Sequence, residues 1–127
     1  MLDGSEYASL IEAFDKAEHE LDLLSQQMPM AGKTQKFAIG NEKSLLATYI
    51  VKYIKEGNKP ALAETLGWAD PAFQSQRQAL LDLWEEADRT IQRYKQAEKK
   101  WETERSKLSL AKAQFPAAYS ATRNFPG

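Results

Sequence analysis

Between Pro71 and Pro116 the chain has neither proline nor glycine. An uninterrupted run of about 44 residues makes a helix of roughly 65 Å, at about 1.5 Å per residue. A compact domain of this length has a radius of gyration of about 14 Å, so such a helix cannot be contained in a globule. Its start is well marked. Asp70 offers an acceptor to the first N–H groups, and Pro71 is preset to helical φ with no N–H to satisfy. Phe73, Leu80, Trp84, Ala87, Ile91 and Tyr94 fill most of the positions of an alternating three-four spacing, the seam of a helix that pairs with another. Past Tyr94 the seam thins to Trp101, Leu108 and Phe115, one per heptad, with Glu98, Arg105 and Lys112 at the alternate sites. A stripe that narrow is expected either to pair with one helix or to project toward a partner.

The first half of the chain reads as shorter helices. One is expected over residues 4–28, where Tyr7, Leu10, Phe14, Ala17, Leu21, Leu24 and Met28 again alternate three and four. Asp3 or Ser5 can cap it, and Asp3 with Glu6 has capping-box spacing. Pro29 is expected to end it, leaving residues 29–40 as a loop. A second helix is expected over 41–56, capped by Asn41 and stopped by Gly57-Asn58, with a wide stripe of Leu45, Leu46, Tyr49, Ile50, Tyr53 and Ile54. A third is expected over 60–66, opened by Pro60 and closed by Gly67. With the long helix at 71–114, residues 1–115 read as a single helical domain and 116–127 as an irregular tail. The expected class is all-α: a small helical bundle or head carrying one very long amphipathic helix, as a coiled-coil-like hairpin or a projecting rod.

Composition narrows the chemistry. The 127 residues suffice for one core, and the absence of cysteine removes disulfides, thiolate nucleophiles and cysteine zinc sites. Met1 to Glu6 has no basic or apolar leader character, and Leu45 to Ile54 is too short and too interrupted to span a bilayer. A cytoplasmic protein with no membrane contact is expected. Charge is distributed unevenly. Asp3, Glu6, Glu12, Asp15, Glu18, Glu20 and Asp22 stand against Lys16 alone at one end. Arg89, Arg93, Lys95, Lys99, Lys100, Arg105, Lys107 and Lys112 outnumber Glu98, Glu102 and Glu104 at the other. The two segments can neutralise one another, or the basic one can face an acidic partner.

The sequence offers few groups suited to catalysis. Gly32-Lys33-Thr34 lacks the earlier glycine of a phosphate loop, since Gln27 stands there, and it follows a helix rather than a strand. His19 is the only histidine and has Lys16 three residues before it, which is not the Glu-x-x-His pairing of bundle metal sites. Asp82, Glu85, Glu86 and Asp88 lie off the seam and read as solvated. No catalytic residue, cofactor, metal or small-molecule substrate is expected.

The segment Lys59 to Gln78 resembles a helix-turn-helix DNA-binding unit. Leu62, Ala63 and Leu66 lie on a short helix, Gly67 is placed for the turn, and Asp70 caps a second helix with Phe73 inward. The resemblance implies Gln74, Ser75, Arg77 and Gln78 as DNA contacts. It covers about 20 residues. It departs at Gln76, where an aliphatic residue is expected, and Lys59 and Arg77 are offset by Glu64 and Asp70. Phosphate contacts supply most DNA affinity, so that balance is poor for tight binding.

The sequence therefore points to a non-catalytic helical interaction or scaffold protein, a small subunit or adaptor of a larger assembly, binding a protein partner or itself. Trp84, Ile91, Tyr94, Trp101 and Leu108 are the expected anchors on the seam, with Arg89, Arg93, Lys99, Lys100 and Lys107 as a basic flank. The alternative is a nucleic-acid-binding protein that uses the 59–78 corner and the 89–112 flank.

Overall fold

The computed structural model describes residues 4–114. The Asp3 cap, the Phe115 seam site and the 116–127 tail lie outside the described residues. Among the described residues the fold is all-α, with three helices: α1 (Gly4–Lys55), α2 (Pro60–Ala69) and α3 (Pro71–Gln114).

The expected break at Pro29 does not occur. Proline removes one backbone hydrogen bond and clashes with the preceding turn, costing about 3 kcal/mol. Yet α1 runs through it, and the segment expected as a loop at 29–40 is helical. The reason lies in the positions that follow. Ala31, Gln35, Ala38, Glu42, Leu45 and Tyr49 continue the three-four spacing of residues 7–28 without a slip, and each is buried or half-buried. Packing spread along such a seam outweighs one local penalty. Asn41, expected as an N-cap, sits inside the helix and donates its amide to the Phe37 carbonyl at 2.8 Å.

Gly67 is a second correction. It does not end α2, which continues to Ala69. A Cβ at Gly67 would lie 3.3 Å from Ile50 Cγ1 and 3.7 Å from Leu46 Cδ1, so glycine serves close approach to α1 rather than a turn. The left-handed stop is at Gly57 instead, with φ of 99°.

Two compact units divide the helices between them, one holding the chain up to Gln27 and from Gln92 onward, the other Met28–Ile91. In the first unit, the start of α1 runs antiparallel to the end of α3. The Tyr7 hydroxyl donates to the Ala111 carbonyl, and Phe14 packs on Trp101 with ring centroids 5.9 Å apart. Tyr7, Ala17, Ala97, Leu108 and Ala111 are buried there. The distal seam is thus fuller than the sequence suggested. Its alternate sites are Ala97, Glu104 and Ala111, which are buried or half-buried, whereas Glu98, Arg105 and Lys112 are exposed. From Tyr94 the seam advances by three residues where four were expected, and short alanines let the helices approach closely.

In the second unit, α2 and the start of α3 fold against the end of α1. Phe73 is wholly buried. The ring of Tyr49 meets it at 5.7 Å, and that of Trp68 at 5.5 Å, both edge-to-face.

Candidate interaction surface

The corner between α2 and α3 is organised by Asp70, which is buried. Its Oδ1 accepts from the N–H groups of Ala72 at 2.8 Å and Phe73 at 3.3 Å, the N-cap arrangement that starts α3. Its Oδ2 accepts from the Tyr53 hydroxyl at 2.6 Å and from Lys52 at 3.4 Å. These donors hold the Asp70 carboxyl below its usual range, Tyr53 contributing most. The same bond pushes the Tyr53 hydroxyl up to about 12. Every oxygen of the carboxylate is committed, so the cluster is a structural clamp with no lone pair left for a substrate.

The four residues implied as DNA contacts are largely occupied. Arg77 Nε lies 3.5 Å from Glu42, and its guanidinium sits over Trp68. Gln78 bonds to Asp82 at 2.9 Å, Gln74 donates to the Trp68 carbonyl, and Ser75 is exposed. The corner carries the helix-turn-helix spacing, with Arg77 and Gln74 engaged within it.

The expected seam anchors face inward. Trp84 and Ile91 are half-buried in the second unit; in the first, Tyr94 and Trp101 are half-buried and Leu108 is buried. A neighbouring Glu98 raises the Tyr94 hydroxyl above its usual range. The basic flank stays on the surface, with Arg89, Arg93, Lys99, Lys100 and Lys107 all exposed. Lys100 lies 3.9 Å from Glu20 of α1, and Lys107 lies 3.5 Å from Glu104. Arg93 and Lys100 line a shallow groove with Glu20, Leu23, Leu24 and Gln27, so part of this flank meets the acidic start of α1.

The surface that sequence reasoning missed is the outward side of α1. Met30, Phe37, Val51 and Ile54 are exposed there, Met30 at 67% and Phe37 at 57%. With Lys33, Gly40, Ser44 and Ala47 they form a second three-four register, Met30-Lys33-Phe37-Gly40-Ser44-Ala47-Val51-Ile54, on the side away from the buried seam. A Cβ at Gly40 would meet nothing within 4 Å, so contacts within the chain give no reason for glycine there. A shallow groove lined by Ala47, Thr48, Val51, Lys52, Lys55 and Glu56 closes the register at its C-terminal end. The signal was present as a heptad in Met30, Phe37, Ser44 and Val51. Placing 29–40 in a loop took its first half off any helix.

Among the described residues no group of three or more His, Asp or Glu side chains could hold a metal, and His19 is exposed. No helix among them is long and apolar enough to cross a membrane. No family model, curated protein or solved structure matches the chain.

Proposed function

We propose that this is a non-catalytic helical interaction protein, a small subunit or adaptor that docks through coiled-coil-type packing on the outward side of α1. The observation that carries the reading is the exposure of Met30, Phe37, Val51 and Ile54 in one heptad register. Large apolar side chains repeated at that spacing on a long helix suit a second helix laid alongside. The inward seam residues Trp84 to Leu108 then serve the fold, and the partner surface lies on the opposite side of α1. A cytoplasmic setting suits the cysteine-free sequence. The nucleic-acid alternative draws less support, because Arg77 is ion-paired to Glu42 and Gln78 is bonded to Asp82.

The test is site-specific photo-crosslinking in cells. A photoreactive residue at Phe37 should yield covalent adducts with a polypeptide, identified by mass spectrometry, while one at the exposed Ser106 should not. No adduct at position 37, or equal adducts at both positions, ends the reading. Adducts with any protein, including this chain itself, support it.

A further inference from the structure

We infer that the partner on the outward side of α1 is an acidic amphipathic helix of another protein, which sets carboxylates against lysines that have no partner within this chain. The inference rests on the reading above and adds the chemistry of the occupant. Every residue it uses lies in the unit Met28–Ile91. Over that part of α1 the charge is one-sided. Lys33, Lys36, Lys43, Lys52 and Lys55 stand against a single acid, Glu42, which is half-buried and ion-paired to Arg77. Lys52 is held by Asp70. Lys33, Lys36, Lys43 and Lys55 are exposed, and none is in an ion pair with another described residue.

These lysines border the exposed apolar residues. With Met30, Phe37, Ser44 and Val51 as a positions, Lys36 and Lys43 are g positions one heptad apart along one edge. The opposite edge, Thr34, Asn41, Thr48 and Lys55, holds no acid either. Charges at e and g choose between partners more than they add affinity, because an exposed ion pair contributes little while like charges set side by side are costly. A second copy docked through this same face would set lysines against lysines. A helix with glutamate or aspartate along its edges gives each of them a counter-ion.

Lys33 makes the same demand from within the row, between Met30 and Phe37. A lysine stem covers apolar surface while its ammonium reaches outward, and a lone lysine in a heptad row selects partners that answer it. The middle of the row separates a helix from an anionic lipid surface, which shares the negative charge. Gly40, Ser44 and Ala47 stand there, exposed. Small residues let a second helix approach closely, but they offer little apolar area to bury in a bilayer.

The experiment titrates the whole chain with a labelled synthetic helix and reads fluorescence anisotropy. The probe has four heptads, leucine at a and d save for one central glutamate, and glutamate at e and g. A control peptide has lysine in place of every glutamate. The acidic peptide should bind and the basic one should not, and binding should weaken between about 50 mM and about 500 mM salt. Phe37→Ala should weaken it as well. The triple variant Lys33→Glu, Lys36→Glu, Lys43→Glu should bind the acidic peptide at least about tenfold more weakly and bind the basic peptide instead, which also shows that its face is intact. No binding of the acidic peptide, equal binding of both peptides, or binding to vesicles of equal parts phosphatidylcholine and phosphatidylglycerol in place of the peptide overturns the inference. Photo-crosslinking from position 37 separates it from the reading beneath it. Adducts that map to an acidic helical segment of another protein support the inference. Adducts with this chain itself, or with a segment that is not acidic, overturn it and leave the docking surface standing, whereas no adduct ends both.

Discussion

The Tyr53 hydroxyl donates a 2.6 Å hydrogen bond to Asp70, the residue that caps α3. One carboxylate thus ties the end of α1 to the start of α3 and begins the longest uninterrupted stretch in the sequence. Removing it should cost more than an ordinary cap. Asp70→Ala loses the cap and leaves Tyr53 without its acceptor, and about 2–3 kcal/mol of stability should go with them. Asp70→Asn keeps an acceptor for the N–H groups and should lose about half as much. Urea denaturation of the three proteins checks both the size and the order.

The same pair gives a pH dependence with a definite sign. The folded Asp70 carboxyl titrates below its unfolded value, so its contribution is present above about pH 4 and is lost as pH falls toward the folded value. Tyr53 is raised to about 12, so its contribution is present below about pH 10 and is lost as pH rises toward 12. Tyr53→Phe should flatten the stability profile at both ends, since it removes the main cause of each shift. Unfolding midpoints between acid and alkaline pH test this, and an unchanged slope at both ends would contradict it.

Two glycines of this chain should respond in opposite directions. At Gly67 a Cβ lies 3.3 Å from Ile50 Cγ1, and the larger Gly67→Val must push α2 away from α1, costing about 1–3 kcal/mol. At Gly32, inside α1, a Cβ meets nothing within 4 Å. Gly32→Ala should therefore stabilise by about 0.5–1 kcal/mol through helix propensity. Thermal unfolding of the pair reads the contrast directly.

Trp101 distinguishes a helix that packs from one that projects. It rests on Phe14 across the first unit, so Trp101→Ala should lower stability by about 2–4 kcal/mol. A variant with an unchanged melting temperature would mean that the distal part of α3 contributes little to the fold.

Gln35 occupies a seam position of α1 with its amide nitrogen buried and unpartnered. Gln35→Met removes that polar group at similar volume and should stabilise by about 1 kcal/mol. A loss of stability on denaturation would show that the amide has a partner in solution.

Short-range chemistry was legible in the residues. Asp70-Pro71 marked the start of α3 because a cap acts within one turn, Gly57 marked the end of α1 because only its own φ was at issue, and the seam from Tyr7 to Met28 showed in its spacing. What failed were local signals overruled at longer range. Pro29 is a helix stop by itself, but the seam from Ala31 to Tyr49 holds the helix through it. Gly67 reads as a turn by itself, but Ile50 and Leu46 require a missing side chain there. The outward surface of α1 could be seen only after the Pro29 correction, because a helix must be continuous before its far side exists. The sequence by itself determined the helical class and the one long segment that nothing interrupts. Tertiary structure decided that α1 is continuous through Pro29, which residues of α3 face inward and which side of α1 is left uncovered, because packing energy summed along a seam exceeds the few kcal/mol of any single local preference.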